Sequence, residues 1–142
     1  MADTSLTLAR AITVVQPPRL EIGAGSISRL GEWAAAYKRV FVIAMGPTVD
    51  FVERLNLKSE LTIYSDLPPE PDLPSFDLAL DAARSFKPDL VVGLGGGSVM
   101  DVAKLIAALW DKDLALTDVV GAGKVPGRQT ALAQIPTTAG TG

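Results

Sequence analysis

The run Asp89-Leu-Val-Val-Gly-Leu94 shows no alternation of apolar and polar positions and leads directly into Gly95-Gly-Gly97. A strand with one wet face alternates, whereas a strand covered on both faces reads as a continuous apolar stretch. The segment is therefore predicted to be a central strand of a parallel sheet, with the glycines turning it into a helix. Parallel neighbours need crossover connections, so the rest of the chain must supply βαβ units.

Short β-branched runs do alternate with longer amphipathic or Ala-rich stretches, separated by Gly, Pro and Asp. Strands are expected near Arg19 to Ile22, Arg39 to Ala44, Glu60 to Tyr64, Leu90 to Leu94 and Thr130 to Ile135. Helices are expected near Ser26 to Tyr37, Thr48 to Asn56, Leu73 to Phe86 and Ser98 to Trp110. Pro68, Pro69, Pro71 and Pro74 punctuate the link ahead of the third helix, and Pro17-Pro18 set off the beginning of the chain. Residues 1–16 are read as an N-terminal arm or edge strand, and residues 17–142 as one α/β domain. The final segment, Gln134 to Gly142, is a strand and a loop with no element after it, which suggests a domain incomplete at its C-terminus.

Composition narrows the chemistry. At 142 residues, with 48% hydrophobic and 20% charged residues, the chain has material for one globular core. Thirteen basic and 16 acidic residues give a net charge of −3, and the basic ones are scattered, which argues against a nucleic-acid partner. No secretory pattern and no apolar run of transmembrane length are present, so a soluble, cytoplasmic protein without a membrane partner is expected. The chain has no histidine and no cysteine, which removes disulfides, thiolate nucleophiles, His bases and Cys/His zinc sites. Asp and Glu form no ligand-spaced cluster; Asp111 and Asp113 read as a solvated helix end. Serine hydrolysis is a poor alternative, because Ser98 has no customary base and its expected N-cap role already explains it.

The strongest chemical signal is Gly93-Leu-Gly-Gly-Gly-Ser-Val-Met-Asp-Val-Ala-Lys104. A plain strand-to-helix turn needs one glycine. Gly95, Gly96 and Gly97 together allow positive φ and close approach of a ligand to the backbone, while helix N–H groups attract phosphate. Ser98 is the expected N-cap, with Asp101 as its capping-box partner. The Asp101 carboxylate is read either as that cap partner or as a group beside a bound ligand. Lys104 either neutralises phosphate or, the favoured reading, pairs with Asp101 across one turn. The loop is not a Walker motif, and it departs from the usual Rossmann fingerprint by placing Ser98 where the third glycine belongs. Thr137, Thr138 and Thr141 crowd the loop after the last strand: either a Thr-rich turn by chance, or a second wall of the same crevice at the carboxyl ends of the strands.

Taken in order, Gly95-Gly-Gly-Ser-Val-Met-Asp-Val-Ala-Lys104 and Pro136-Thr-Thr-Ala-Gly-Thr-Gly142 resemble the paired signature of the iron-containing (group III) alcohol dehydrogenases, a family that includes maleylacetate reductases. Pro18 to Leu30 extends the likeness over nearly the whole chain. The resemblance implies a Rossmann-like parallel sheet with helices on both faces, truncated before a helical C-terminal domain. It puts the pyrophosphate of NAD or NADP on Gly96, Gly97 and Ser98, with Asp101 toward the nicotinamide and Thr137, Thr138 and Thr141 opposite. Hydride transfer with a small alcohol, aldehyde or ketone follows from it, as does a homo-oligomer. The Fe²⁺ or Zn²⁺ ligands belong to the family's helical domain, so this chain holds no catalytic residue and no metal site and is expected to be inactive alone.

Two positions depart from the family. Met45 stands where an acidic residue binds the adenosine ribose in NAD-preferring relatives, and Pro69-Glu-Pro71 lacks an asparagine common before proline. The resemblance therefore leaves NAD and NADP both open. A maleylacetate reductase fragment and a stand-alone nucleotide-binding or interaction module are the competing readings.

Overall fold

A computed structural model describes residues 13–138. Four strands, β1 (Arg39–Ala44), β2 (Glu60–Tyr64), β3 (Leu90–Gly95) and β4 (Ala131–Pro136), form one parallel sheet in the order β2-β1-β3-β4. The helices are α1 (Leu30–Trp33), α2 (Leu73–Phe86) and α3 (Gly97–Leu109), joined by 3-10 segments at Ser26–Arg29, Gly46–Leu55 and Leu116–Val119.

Every residue of β3 is buried, in keeping with the unbroken apolar run. Two cores explain why. Phe41, Ile43 and Val91 pack with Phe76, Leu80, Val102 and Ile106 beneath α2 and α3. On the opposite face Val40, Val42, Ala44, Leu90, Val92 and Leu94 meet Leu30, Ala34, Val52 and Leu55. Successive strand residues point to opposite faces, and both faces are covered, so neither tolerates polar alternation.

Helix α2 occupies the expected residues because its ends are specified locally. The Asp72 carboxylate accepts from the Ser75 N–H at 2.9 Å, the Ser75 hydroxyl accepts from the Asp72 N–H at 3.0 Å, and Pro74 fits the first turn. The α2 helix stops at Lys87, which is left-handed with φ 57°.

Three elements differ from expectation. Residues Arg19 to Ile22 are not a strand: among the described residues no strand pairs with them, and Leu20 and Ile22 are exposed. They are held by side chains, with Arg19 over the Trp33 ring at 4.6 Å and Glu21 near Arg29 at 3.6 Å. The helix read across Ser26 to Tyr37 shrinks to a 3-10 turn and the single turn α1. Gly31 lies at its centre, so close to the Asn56 backbone that a Cβ would overlap the Asn56 carbonyl, and this glycine favours contact over helix length. The segment read as a helix from Thr48 is a 3-10 segment beginning at Gly46. There the Thr48 hydroxyl both accepts from the Met45 N–H at 2.9 Å and donates to the Met45 carbonyl at 2.8 Å, competing with regular α-helical bonding.

Candidate functional site at the carboxyl edge of the sheet

All four strands run the same way, so the segments after β1, β3 and β4 emerge at one edge. The register pairs Gly95 with Pro136, which brings the glycine loop level with the threonine loop. The Thr137 N–H donates to the Gly95 carbonyl at 3.0 Å, extending the ladder past the end of β4. A Cβ placed on Gly96 would come within 3.7 Å of the Thr138 methyl and 3.8 Å of its hydroxyl, so the two loops are in contact. Gly97, Ser98, Thr137 and Thr138 are exposed. Thr141 lies outside the described residues.

The glycines serve in ways the sequence did not separate. None of Gly95, Gly96 and Gly97 has a positive φ, so the expected left-handed turn is absent. Gly95 is small because its Cβ would meet the Val99 side chain at 2.9 Å, where the first turn of α3 folds back over the strand. Among the described residues, a Cβ on Gly97 would meet nothing within 4 Å, so their packing does not require that glycine. Open space above an exposed helix start is what close approach of a ligand to backbone N–H groups demands.

The cap also differs from expectation. Gly96, extended at φ −78° and ψ −175°, is the N-cap, and α3 begins at Gly97, placing Ser98 inside the first turn. No side chain caps this end, and no acidic residue occupies the first turn. The Met100 N–H closes the turn on the Gly96 carbonyl at 3.1 Å, leaving the earlier N–H groups of α3 without a helical partner. Asp101 does not return to the cap. Its carboxylate pairs with Lys104 at 2.6 Å, as the simpler reading of Lys104 had it, and both side chains are largely exposed.

Elsewhere on this edge, Met45 and Gly46 follow β1, Gly46 with φ 51°, and no carboxylate stands at position 45 or 46. Burial first, and the neighbouring Asp66 second, push the Tyr64 phenol above its ordinary value, so Tyr64 stays neutral. Two clefts are present among the described residues. A cleft of about 720 Å³ is lined by Val49, Val52, Leu57, Leu61 and Ile63 along β2, and one of about 380 Å³ by Ala34, Tyr37, Lys38 and Lys58. Neither includes a residue of the glycine loop.

Gln134 was not singled out from the sequence. It faces Gly93 across the β3–β4 register and bonds the first turn of α3 through the Met100 carbonyl. The available signal was an amide in an otherwise apolar strand.

The edge presents an uncapped start of the thirteen-residue α3, an exposed Gly97 with no described atom within 4 Å of its Cβ position, and hydroxyls from a second loop. The chain contains no His or Cys, and the described residues include no group of three or more His, Cys, Asp or Glu able to hold an ion.

An open parallel sheet with a glycine-rich strand-to-helix loop at its carboxyl edge defines a nucleotide-binding class of α/β domain. Residues 17–142 match the family model described as iron-containing alcohol dehydrogenase, and the chain belongs to that family. An alcohol dehydrogenase of Thermococcus barophilus is 31% identical over 140 residues, covering 87% of this chain and 36% of that protein. Long-chain-alcohol dehydrogenase 1 of Geobacillus thermodenitrificans is 33% identical over 141 residues, covering 91% of this chain and 36% of that protein. Among solved structures, sulfoacetaldehyde reductase from Bifidobacterium kashiwanohense, determined in complex with NAD+, superposes with a TM-score of 0.75 at 29% identity over 84% of this chain and 34% of that one. The chain thus spans little more than a third of the length of these relatives.

Proposed function

We propose that residues 17–142 form the NAD(P)-binding portion of a metal-dependent alcohol dehydrogenase or reductase, and that these residues alone do not catalyse. The observation carrying this reading is the contact between two exposed loops, Gly95 to Ser98 and Thr137 to Thr138, beside a helix start with neither cap nor acidic residue. Membership of the family supports it.

In this reading the N–H groups at the start of α3, free of any side-chain cap, donate to the cofactor pyrophosphate. Gly97 leaves the space that a side chain would fill, and the Ser98 hydroxyl adds a donor. Thr137 and Thr138, with Thr141 beyond the described residues, line the other side. Asp101 orients the nicotinamide end, with Lys104 holding the carboxylate by its ion pair. The bound nicotinamide gives hydride to, or takes it from, a small alcohol or carbonyl substrate.

Binding by the isolated chain is expected to be weak, because both loops are exposed. Calorimetric titration with NADH and NADPH, on the parent and on Gly97→Asp, tests the reading. Weak binding lost on placing a carboxylate in the open space supports it. Binding indifferent to Gly97→Asp contradicts it, and micromolar affinity contradicts the expected weakness.

A further inference from the structure

We infer that Gln134 is a positioning residue: its side-chain amide pins the first turn of α3 to β4 and so fixes Gly96 to Ser98 relative to Thr137 and Thr138. The inference rests on the cofactor role proposed above for these two loops.

The connection runs through Met100. Gln134 Nε2 donates to the Met100 carbonyl at 2.8 Å, and the Met100 N–H donates to the Gly96 carbonyl at 3.1 Å. One residue thus joins the glycine loop on one side and β4 on the other. The Met100 carbonyl already serves the helix ladder, so the amide adds a second donor to an acceptor that did not need one for the helix to form. A separate main-chain tie, Thr137 N–H to Gly95 carbonyl, sets the strand ends. Among the described residues, Gln134 makes the side-chain hydrogen bond between the helix start and β4.

The amide is kept at a cost to packing. Its Oε1 is buried with no hydrogen-bond partner, a destabilising arrangement that an apolar side chain would avoid. Leu132, two residues earlier on the same strand face, is apolar and joins the α2–α3 core. Gly93 is sacrificed as well: a Cβ there would overlap Gln134 Oε1 and meet the Ala103 Cβ at 2.9 Å. A glycine opposite an amide with an orphaned oxygen serves core stability poorly, and what the pair secures is the bond to Met100.

The test compares the 142-residue chain with Gln134→Met, which keeps the length of the side chain, removes the orphaned oxygen and removes the donor. The expected result is an unchanged or higher melting temperature, with amide exchange at Met100 and Asp101 faster by roughly five- to tenfold, the reach of one hydrogen bond. Exchange within β1 stays unchanged, and the NADH dissociation constant rises by a similar factor. Equal exchange at Met100 overturns the inference, as does faster exchange throughout the core with a lower melting temperature, or faster local exchange with unaltered NADH affinity. Exchange is read without cofactor, so a parent chain that fails to bind NADH counts against the proposed function and leaves exchange to decide the role of Gln134.

Discussion

Trp110 and Thr130 tie the end of α3 to the start of β4: the indole Nε1 donates to the Thr130 hydroxyl at 2.6 Å. Thr130 is a buried polar residue, 6% exposed, and its hydroxyl accepts from the indole N–H. Together with Gln134 at the other end of β4, this bond clamps α3 against one strand at two points. Thr130→Val preserves the shape but strands the indole N–H. It is expected to lower stability by about 0.5–1.5 kcal/mol, the net worth of one hydrogen bond, since Trp110 is only half-buried. Urea denaturation should show the midpoint fall with the slope unchanged.

The start of α2 carries an acid-sensitive cap. Hydrogen bonding by Ser75, side chain first and backbone second, holds the Asp72 carboxyl below its ordinary value of 3.8. A carboxyl lowered in the folded state stabilises the fold above its unfolded value and loses that contribution as pH falls through the folded value. Asp72→Asn is expected to keep the cap, since asparagine accepts the same bond, while flattening the fall in stability on acidification below about pH 4. Thermal melts of both proteins between neutral and acid pH check this; an equal acid response in the two would assign the sensitivity elsewhere.

Cofactor preference is expected to be open at the ribose end. If the ribose end of the proposed cofactor lies by Met45, the absence of a carboxylate at positions 45 and 46 leaves no acidic group to repel a 2′-phosphate or to accept from a 2′-hydroxyl. Met45→Asp is expected to shift the ratio of NADH to NADPH affinity toward NADH by about tenfold, or ~1.4 kcal/mol. Aspartate is also a good N-cap for the 3-10 segment that follows, so the substitution should not lower the melting temperature. Competitive titration with the two cofactors measures the ratio.

Burial and local capping made much of this fold legible in the sequence. The doubly covered β3 is legible as an unbroken apolar run, and α2 as the Ala-rich, amphipathic stretch from Leu73 to Phe86. The first helix was misjudged because Gly31 answers to a distant backbone, that of Asn56, which no local pattern reveals. Arg19 to Ile22 looked like a strand because β propensity says nothing about whether a partner strand is present. The glycine and threonine loops were singled out from composition and order, and the register sets Gly95 level with Pro136. What each glycine does was not legible, because close contact with Val99 at Gly95 and open space at Gly97 look identical as letters. Gln134 and Gly93 escaped for the same reason: their pairing exists only once β3 and β4 are in register.

The most direct measurement is a residue-resolved NMR titration of the chain with NADH. The amides of Gly96, Gly97, Ser98 and Thr138 are expected to shift together along one binding curve, with the cleft residues Leu61 and Ile63 unmoved. Shifts confined to that cleft, or the absence of any shift at the glycine loop at millimolar NADH, would contradict the assignment of the carboxyl edge of the sheet as the cofactor site.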